Sequence, residues 1–296
     1  MRAQRRAAAL VVALGTVVAV AAGCSDGTDA AAPTSAPPTT SAASPGPSPT
    51  ASSPATPTSP ATQTVMVSYL VDTRAGIRLA HEPREVDAAD PVRAAVEAMI
   101  AGPVDPDYST AWDPATQVLG VTRDGSTIVV DLSEQARTAS IGSEGAARMV
   151  QQLVHTATAA ADDPTAGVLL TIDGEPAGDL WGAVSWTEPI SRADPLDVRQ
   201  LVQIDTPAQG ATTSSPVTVA GDAAVFEANL LWRVLDGSGA EVRSGFTTTA
   251  EGQTFAPYSF EVELDPGTYT VVISESDPSD GAGGTPMTDS RTVVVQ

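Results

Sequence analysis

The sequence predicts an α+β domain followed by an all-β, immunoglobulin-like sandwich, set behind a leader and a polar linker. Three observations carry that fold class. Residues 64–186 run strand, helix, hairpin, helix, strand, a two-layer α+β order. From residue 199 onward, seven short apolar runs are separated by Gly, Pro and Asp turns, with inward and outward residues alternating. Before residue 64 there is no repeating pattern of apolar residues that a core could use.

The leader comes first. Arg2, Arg5 and Arg6 form a basic start, and Ala7 to Ala22 is an unbroken run of small and apolar residues. That run is shorter than the roughly 20 residues a membrane-spanning helix needs. A charged start, a short apolar middle and small residues at the end define a secretory signal peptide, residues 1–23. Residues 25–63 are almost wholly Ser, Thr, Ala and Pro. With nothing to bury, they are expected to be disordered, and the tether is drawn as 24–63. Such a stretch spans roughly 35 Å as a flexible coil and about 120 Å if fully polyproline-like. Its composition also suits O-glycosylation.

The first domain is drawn as 64–186. "TVMVSYLVD" reads as a strand, and "GIRLAHEPREVD" as one or two short strands around Pro83. Asp90-Pro91 opens a helix, Val92, Val96, Met99 and Ile100 share one face, and Gly102-Pro103 closes it. "TQVLGVTRDGSTIVVDLS" is a hairpin turning at Asp124-Gly125. Ser143 caps a second helix with an apolar face of Val150, Leu153, Val154 and Ala157, and "GVLLTIDG" is a buried strand. Residues 187–198 are the joint. In the second domain, 199–296, one row of Phe226, Ala228, Leu230, Trp232 and Val234 faces inward. A second row, Tyr258, Phe260, Val262 and Leu264, does the same.

Short quoted stretches also carry family resemblances. Ala21-Ala22-Gly23-Cys24 resembles the lipobox of bacterial lipoproteins, with Ala21 in place of the usual leucine. The resemblance implies cleavage before Cys24, lipidation of its thiol with palmitate-type acyl chains, and an extracytoplasmic protein lipid-anchored to the cell membrane. Cys24 is the sole cysteine, so no thiol is left for a disulfide. "YLVD", "LAHEPREV", "AMIAGP", "DGSTIVVDLS", "QLVHTAT" and "VLLTIDG" resemble the GerMN domain of sporulation and germination proteins. "SPVTVAGDAAVFEANLLWRVLDGSG" with "APYSF" resembles the Gmad2 domain, the immunoglobulin-like module associated with bacterial spore germination. Together these imply an envelope lipoprotein without enzymatic activity.

Composition narrows the partners. Lysine is absent, and cleavage before Cys24 leaves 12 of the 15 arginines against 36 acids, a net charge of −24. That argues against nucleic acid and against docking on an anionic lipid surface. The expected partner is an envelope protein with a basic surface, met on a free strand edge at 65–71 or 167–172. The alternative is binding to cell-wall polysaccharide or peptidoglycan.

No catalytic, cofactor or metal residues are expected. His81 is read as a surface histidine and His155 as packed beside or exposed on the second helix. Glu275, Asp277 and Asp280 lack the spacing of a calcium loop and read as a solvated turn. Trp181 and Trp186 read as packing residues. Glu227 reads as structural, paired across strands with an arginine such as Arg233 or Arg243.

Overall fold

A computed structural model of the chain describes residues 61–139, 141–277 and 284–296. The leader, Cys24 and all but the last three residues of the tether lie outside them. Strand structure begins at Thr62, two residues before the expected start, because Thr62 and Gln63 already pair with Asp87 and Val86.

The first domain opens with β1 (Thr62–Thr73) and β2 (Gly76–Asp87), one long antiparallel hairpin. Pro83 does not split β2; it sits opposite Met66 within the ladder. The expected helix α1 (Pro91–Ala101) follows, capped by the Asp90 side chain on the Arg93 amide at 3.3 Å. Gly102, at φ 100°, ends it. Its buried face is Ala95, Val96, Met99 and Ile100.

Strands β3 (Val118–Asp124) and β4 (Thr127–Leu132) make the expected hairpin. A 3-10 turn at Glu134–Arg137 leads to α2 (Ser143–Ala160) and then to β5 (Gly167–Ile172), which lies parallel to β4. Gly142, not Ser143, occupies the N-cap, and no side chain bonds there. Thirteen of the 18 residues of α2 are buried. The helix packs against β1, β2, α1 and β5, so its apolar face is far wider than four residues.

Three short strands complete the domain: β6 (Glu175–Pro176), β7 (Gly178–Leu180) and β8 (Val184–Trp186). Both strand edges expected to be free are covered. The Ser68 amide of β1 donates to Thr156 Oγ1 at 3.1 Å, and its carbonyl accepts from Gln152 at 3.0 Å. β5 pairs with β4 on one side and with β6 and Ile190 on the other.

The joint contains one helical turn, α3 (Pro195–Val198), capped by Asp194 on the Leu196 amide. The sandwich follows: β9 (Val202–Thr206), β10 (Ala211–Thr213), β11 (Val217–Ala223), β12 (Asn229–Asp236), β13 (Glu241–Thr248), β14 (Ala256–Val262), β15 (Gly267–Glu275) and β16 (Thr288–Val295). One sheet runs β10-β16-β15-β12-β13 and the other β14-β11-β9, eight strands against the seven expected.

The row from Tyr258 to Leu264 faces in as expected, with Phe260 half-buried. The other row is corrected at its start. Phe226 is exposed, and residues 226–228 form a 3-10 turn with Glu227 and Ala228 at positive φ, so alternation begins only at Leu230. Trp232 is half-buried, stacked on Phe260 with ring centroids 5.0 Å apart. Gly221 sits at a bulge where an added Cβ would strike the Gln203 carbonyl of β9. Only glycine lets those two backbones approach so closely.

Candidate functional site at the domain junction

Beyond the covalent joint, the two domains are held together by a cluster of buried charges. β16 places Asp289, Arg291, Val293 and Val295 on its inward side by simple alternation. Two charged residues therefore stand where apolar ones are normal. Arg291, 1% exposed, reaches out of the sandwich into the first domain. Its Nη1 donates to Asp105 Oδ2 at 2.7 Å, Asp289 Oδ1 at 3.0 Å and the Ser290 carbonyl at 2.7 Å. Its Nη2 donates to the Tyr108 hydroxyl at 3.0 Å and the Ile204 carbonyl at 2.9 Å.

The acids are engaged in turn. Asp289 accepts from the Tyr108 hydroxyl at 2.6 Å and from the Ile204 amide at 2.6 Å. Burial raises the Asp105 carboxyl to about 6, against the opposing pull of the Asp107 amide and Arg291. Burial raises Asp289 as well. Burial works against the Arg291 cation, but Asp289 and Tyr108 outweigh it and its pKa rises. Alongside, Glu82 accepts from the amides of Val104 and Asp105, at 3.0 and 2.6 Å, and pairs with Arg84.

His81 belongs to the same junction and is not a surface histidine. Its amide donates to Gln203 Oε1 at 2.7 Å and its Nε2 lies 2.6 Å from Asp205 Oδ1, both in the second domain. Glu275 is likewise no solvated turn residue: it pairs with Arg74 and accepts from the Met287 amide at 2.7 Å. Asp280 lies outside the described residues. Glu227 forms no ion pair among the described residues, so the expected pair with Arg233 or Arg243 is not made. Trp186 is fully buried, and Trp181 meets Trp112 edge-on at 5.5 Å, both as packing residues. Among the described residues no group of three His, Cys, Asp or Glu side chains is placed to hold a metal. None of their helices is long and apolar enough to cross a membrane.

His155 is buried on α2, with Nε2 lacking a hydrogen-bond partner. Burial, then the nearby Arg192, Arg199 and His81, push its pKa down to about 3. The unfolded chain takes up this proton near pH 6.5, whereas the folded chain resists until about pH 3. Its stabilisation is thus complete above pH 6.5 and falls on acidification by about 1.4 kcal/mol per pH unit. Asp105 acts with the opposite sign. Its folded pKa of about 6 exceeds the ordinary 3.8, so it favours the folded form as pH falls between those values. His155→Gln is expected to lose about 2 kcal/mol less than wild type between pH 7 and pH 5. Urea midpoints at both pH values measure this, and equal losses in the two proteins would refute it.

The fold defines the class, an α+β domain fused to an immunoglobulin-like sandwich. Residues 61–178 match the family model Germane, described as sporulation and spore germination, and residues 201–282 match Gmad2, the immunoglobulin-like domain of bacterial spore germination. Each match covers less than half of the chain, and the two lie side by side on its first and second domains. It is 20% identical to tandem GerMN domains of the sporulation protein GerM from Bacillus subtilis, with a TM-score of 0.39, over 45% of this chain and 46% of that one. It therefore spans about half the length of that structure. The first GerMN domain of GerM alone is 19% identical, with a TM-score of 0.34, over 45% of this chain and 99% of the other. CopC from Methylosinus trichosporium OB3b is 18% identical, with a TM-score of 0.25, over 31% of this chain and 87% of that one. Comparison with curated proteins returned no match.

Proposed function

We propose that the protein is an extracytoplasmic lipoprotein, held to the membrane through Cys24, that serves as a non-catalytic scaffold for protein partners of the cell envelope. The observation that carries this reading is the junction itself. Its charged groups are the densest cluster of potential chemistry described above, yet Arg291, Asp105 and Asp289 are sealed from solvent and saturated with one another. A substrate has no route to them without parting the domains. What they supply is a buried tie between the two domains, which suits a part that holds others in place.

The surface offered to a partner is the sandwich edge. β13 is the outermost strand of its sheet, and an open strand edge is a template for pairing. Phe246 on it is 71% exposed, opposite Leu231 at 45%. With a mature net charge of −24, the fitting partner is a protein bearing arginine- or lysine-rich surface.

Two experiments test the two halves. Cys24→Ala should leave the detergent phase on phase separation, and a variant still partitioning with lipid would remove the anchor. A photo-crosslinker at Phe246 should trap one defined protein in cells, more strongly at low salt. Trapping of wall polymer instead would overturn the protein-scaffold reading.

A further inference from the structure

A cavity of about 450 Å³ opens between the first domain and the joint, walled by β1, β2, α2 and residues 192–199. Its polar lining brings together two guanidiniums and two imidazoles, Arg192, Arg199, His81 and His155. Two of these are already matched, Arg199 with Asp222 at 2.6 Å and His81 with Asp205. Arg192 is not. Its Nε donates to Thr158 Oγ1 at 2.7 Å and its Nη2 to the His155 carbonyl at 3.3 Å, which fixes the guanidinium against the last turns of α2. Among the described residues no carboxylate pairs with it and Nη1 has no hydrogen-bond partner. Most other arginines here do find an acid, including Arg74, Arg84, Arg93, Arg123 and Arg137.

The second unmatched group is His155. The side chain is 8% exposed, lines the same cavity, and leaves Nε2 without a partner. A buried polar atom in that condition carries a desolvation cost that a bound ligand would relieve. The remaining wall is largely apolar, with Met66, Ala159, Pro164 and Pro195. Asp162, the acid in the lining, is exposed and bonds neither Arg192 nor His155.

We propose that this cavity binds a small organic carboxylate, its planar head on the Arg192 guanidinium and His155 Nε2 and its apolar body against Met66, Pro164 and Pro195. A guanidinium matches a carboxylate as a planar fork. One unpaired cation balances one negative charge, which fits a monocarboxylate better than a phosphate dianion. The wall of hydrocarbon favours an acid with an apolar body over a bare ion. A purely structural role for Arg192, closing the carbonyl end of α2, uses only Nε and Nη2. It leaves the empty space and the unpartnered imidazole unexplained.

Isothermal titration of the full chain in detergent tests the site, with N-acetylalanine, propionate, N-acetylalanine amide and inorganic phosphate as probes. Both acids are expected to bind saturably, and the neutral amide is not. Binding of N-acetylalanine alone also supports the site and identifies a peptide chain end as the source; binding of both acids identifies a free organic acid. Arg192→Gln is expected to weaken binding about tenfold or more, the scale of one charge-assisted hydrogen bond. Arg243→Gln, far along the chain and exposed, should bind as wild type does. Thermal melts run beside each variant. If Arg192→Gln does not fold, Arg192→Lys and the acid–amide comparison on unaltered protein carry the test. No saturation by either acid, equal binding of acid and amide, unchanged binding in a folded Arg192→Gln, or tighter binding of phosphate would each overturn the proposal.

Discussion

Arg291→Met is expected to destabilise the folded protein by about 3–5 kcal/mol. Methionine is near enough in volume that the loss is not one of packing. The loss arises because Asp105 and Asp289 remain, each about 1% exposed, with no cation to face. Stripping one partner from a buried ion cluster leaves an uncompensated charge, which costs far more than the intact cluster contributes over an apolar replacement. A single-domain protein has only about 5–15 kcal/mol of stability altogether. Guanidinium unfolding of wild type and variant measures the change. Adding Asp289→Asn and Asp105→Asn to Arg291→Met should recover part of it, since the neutral amides no longer need a cation. A single variant melting like wild type would show that the cluster is open to water and adds nothing to the joining of the domains.

The same residues show where the sequence was legible and where it was not. "RTVVVQ" was readable as a strand, and alternation places Asp289 and Arg291 in phase with the buried Val293 and Val295. Two charges on the inward phase of an apolar strand were the available signal for a buried pair. Their partners were not readable, because Asp105 and Tyr108 lie more than 180 residues away in an irregular loop. Local rules worked where the cause is local, as at the Asp90 cap, the turn after Asp124 and the row from Tyr258 to Leu264. They failed where burial comes from distant elements. Helix α2 contacts both the β1–β2 hairpin and β5, so Gln152, Thr156 and Thr158 are buried although no apolar stripe includes them. The cavity residues were hidden for a related reason: Arg192 sits in a joint without periodicity, and His155 looks polar until its surroundings are known. At Phe226 alternation was extended one turn too far, across a backbone that Glu227 and Ala228 take to positive φ.

Trp186→Ala is expected to cost about 3–5 kcal/mol, the usual range for emptying a buried tryptophan site. Trp186 is 0% exposed and among the largest fully buried side chains. It closes β8 opposite Gly178 and donates its indole N–H to the Val168 carbonyl at 3.2 Å, tying the end of the first domain to β5. Trp186→Phe keeps most of the packing and gives up only the indole hydrogen bond, since the Val168 carbonyl still accepts from the Ile190 amide at 2.8 Å, so it should cost less. The variant also tests how the domains share their stability. Trp186 lies wholly within the first core, whereas Trp232 reports on the second. If the Arg291 cluster couples the two cores, Trp232 fluorescence, read in a background of Trp112→Phe and Trp181→Phe so that no other tryptophan emits, should lose its native signal in Trp186→Ala at the same lowered denaturant concentration as far-ultraviolet circular dichroism. In Trp186→Ala combined with Arg291→Met the two signals should separate, the sandwich outlasting the damaged first domain. Separate transitions already in Trp186→Ala alone would mean that the domains unfold independently and that the buried charges orient them without joining their fates.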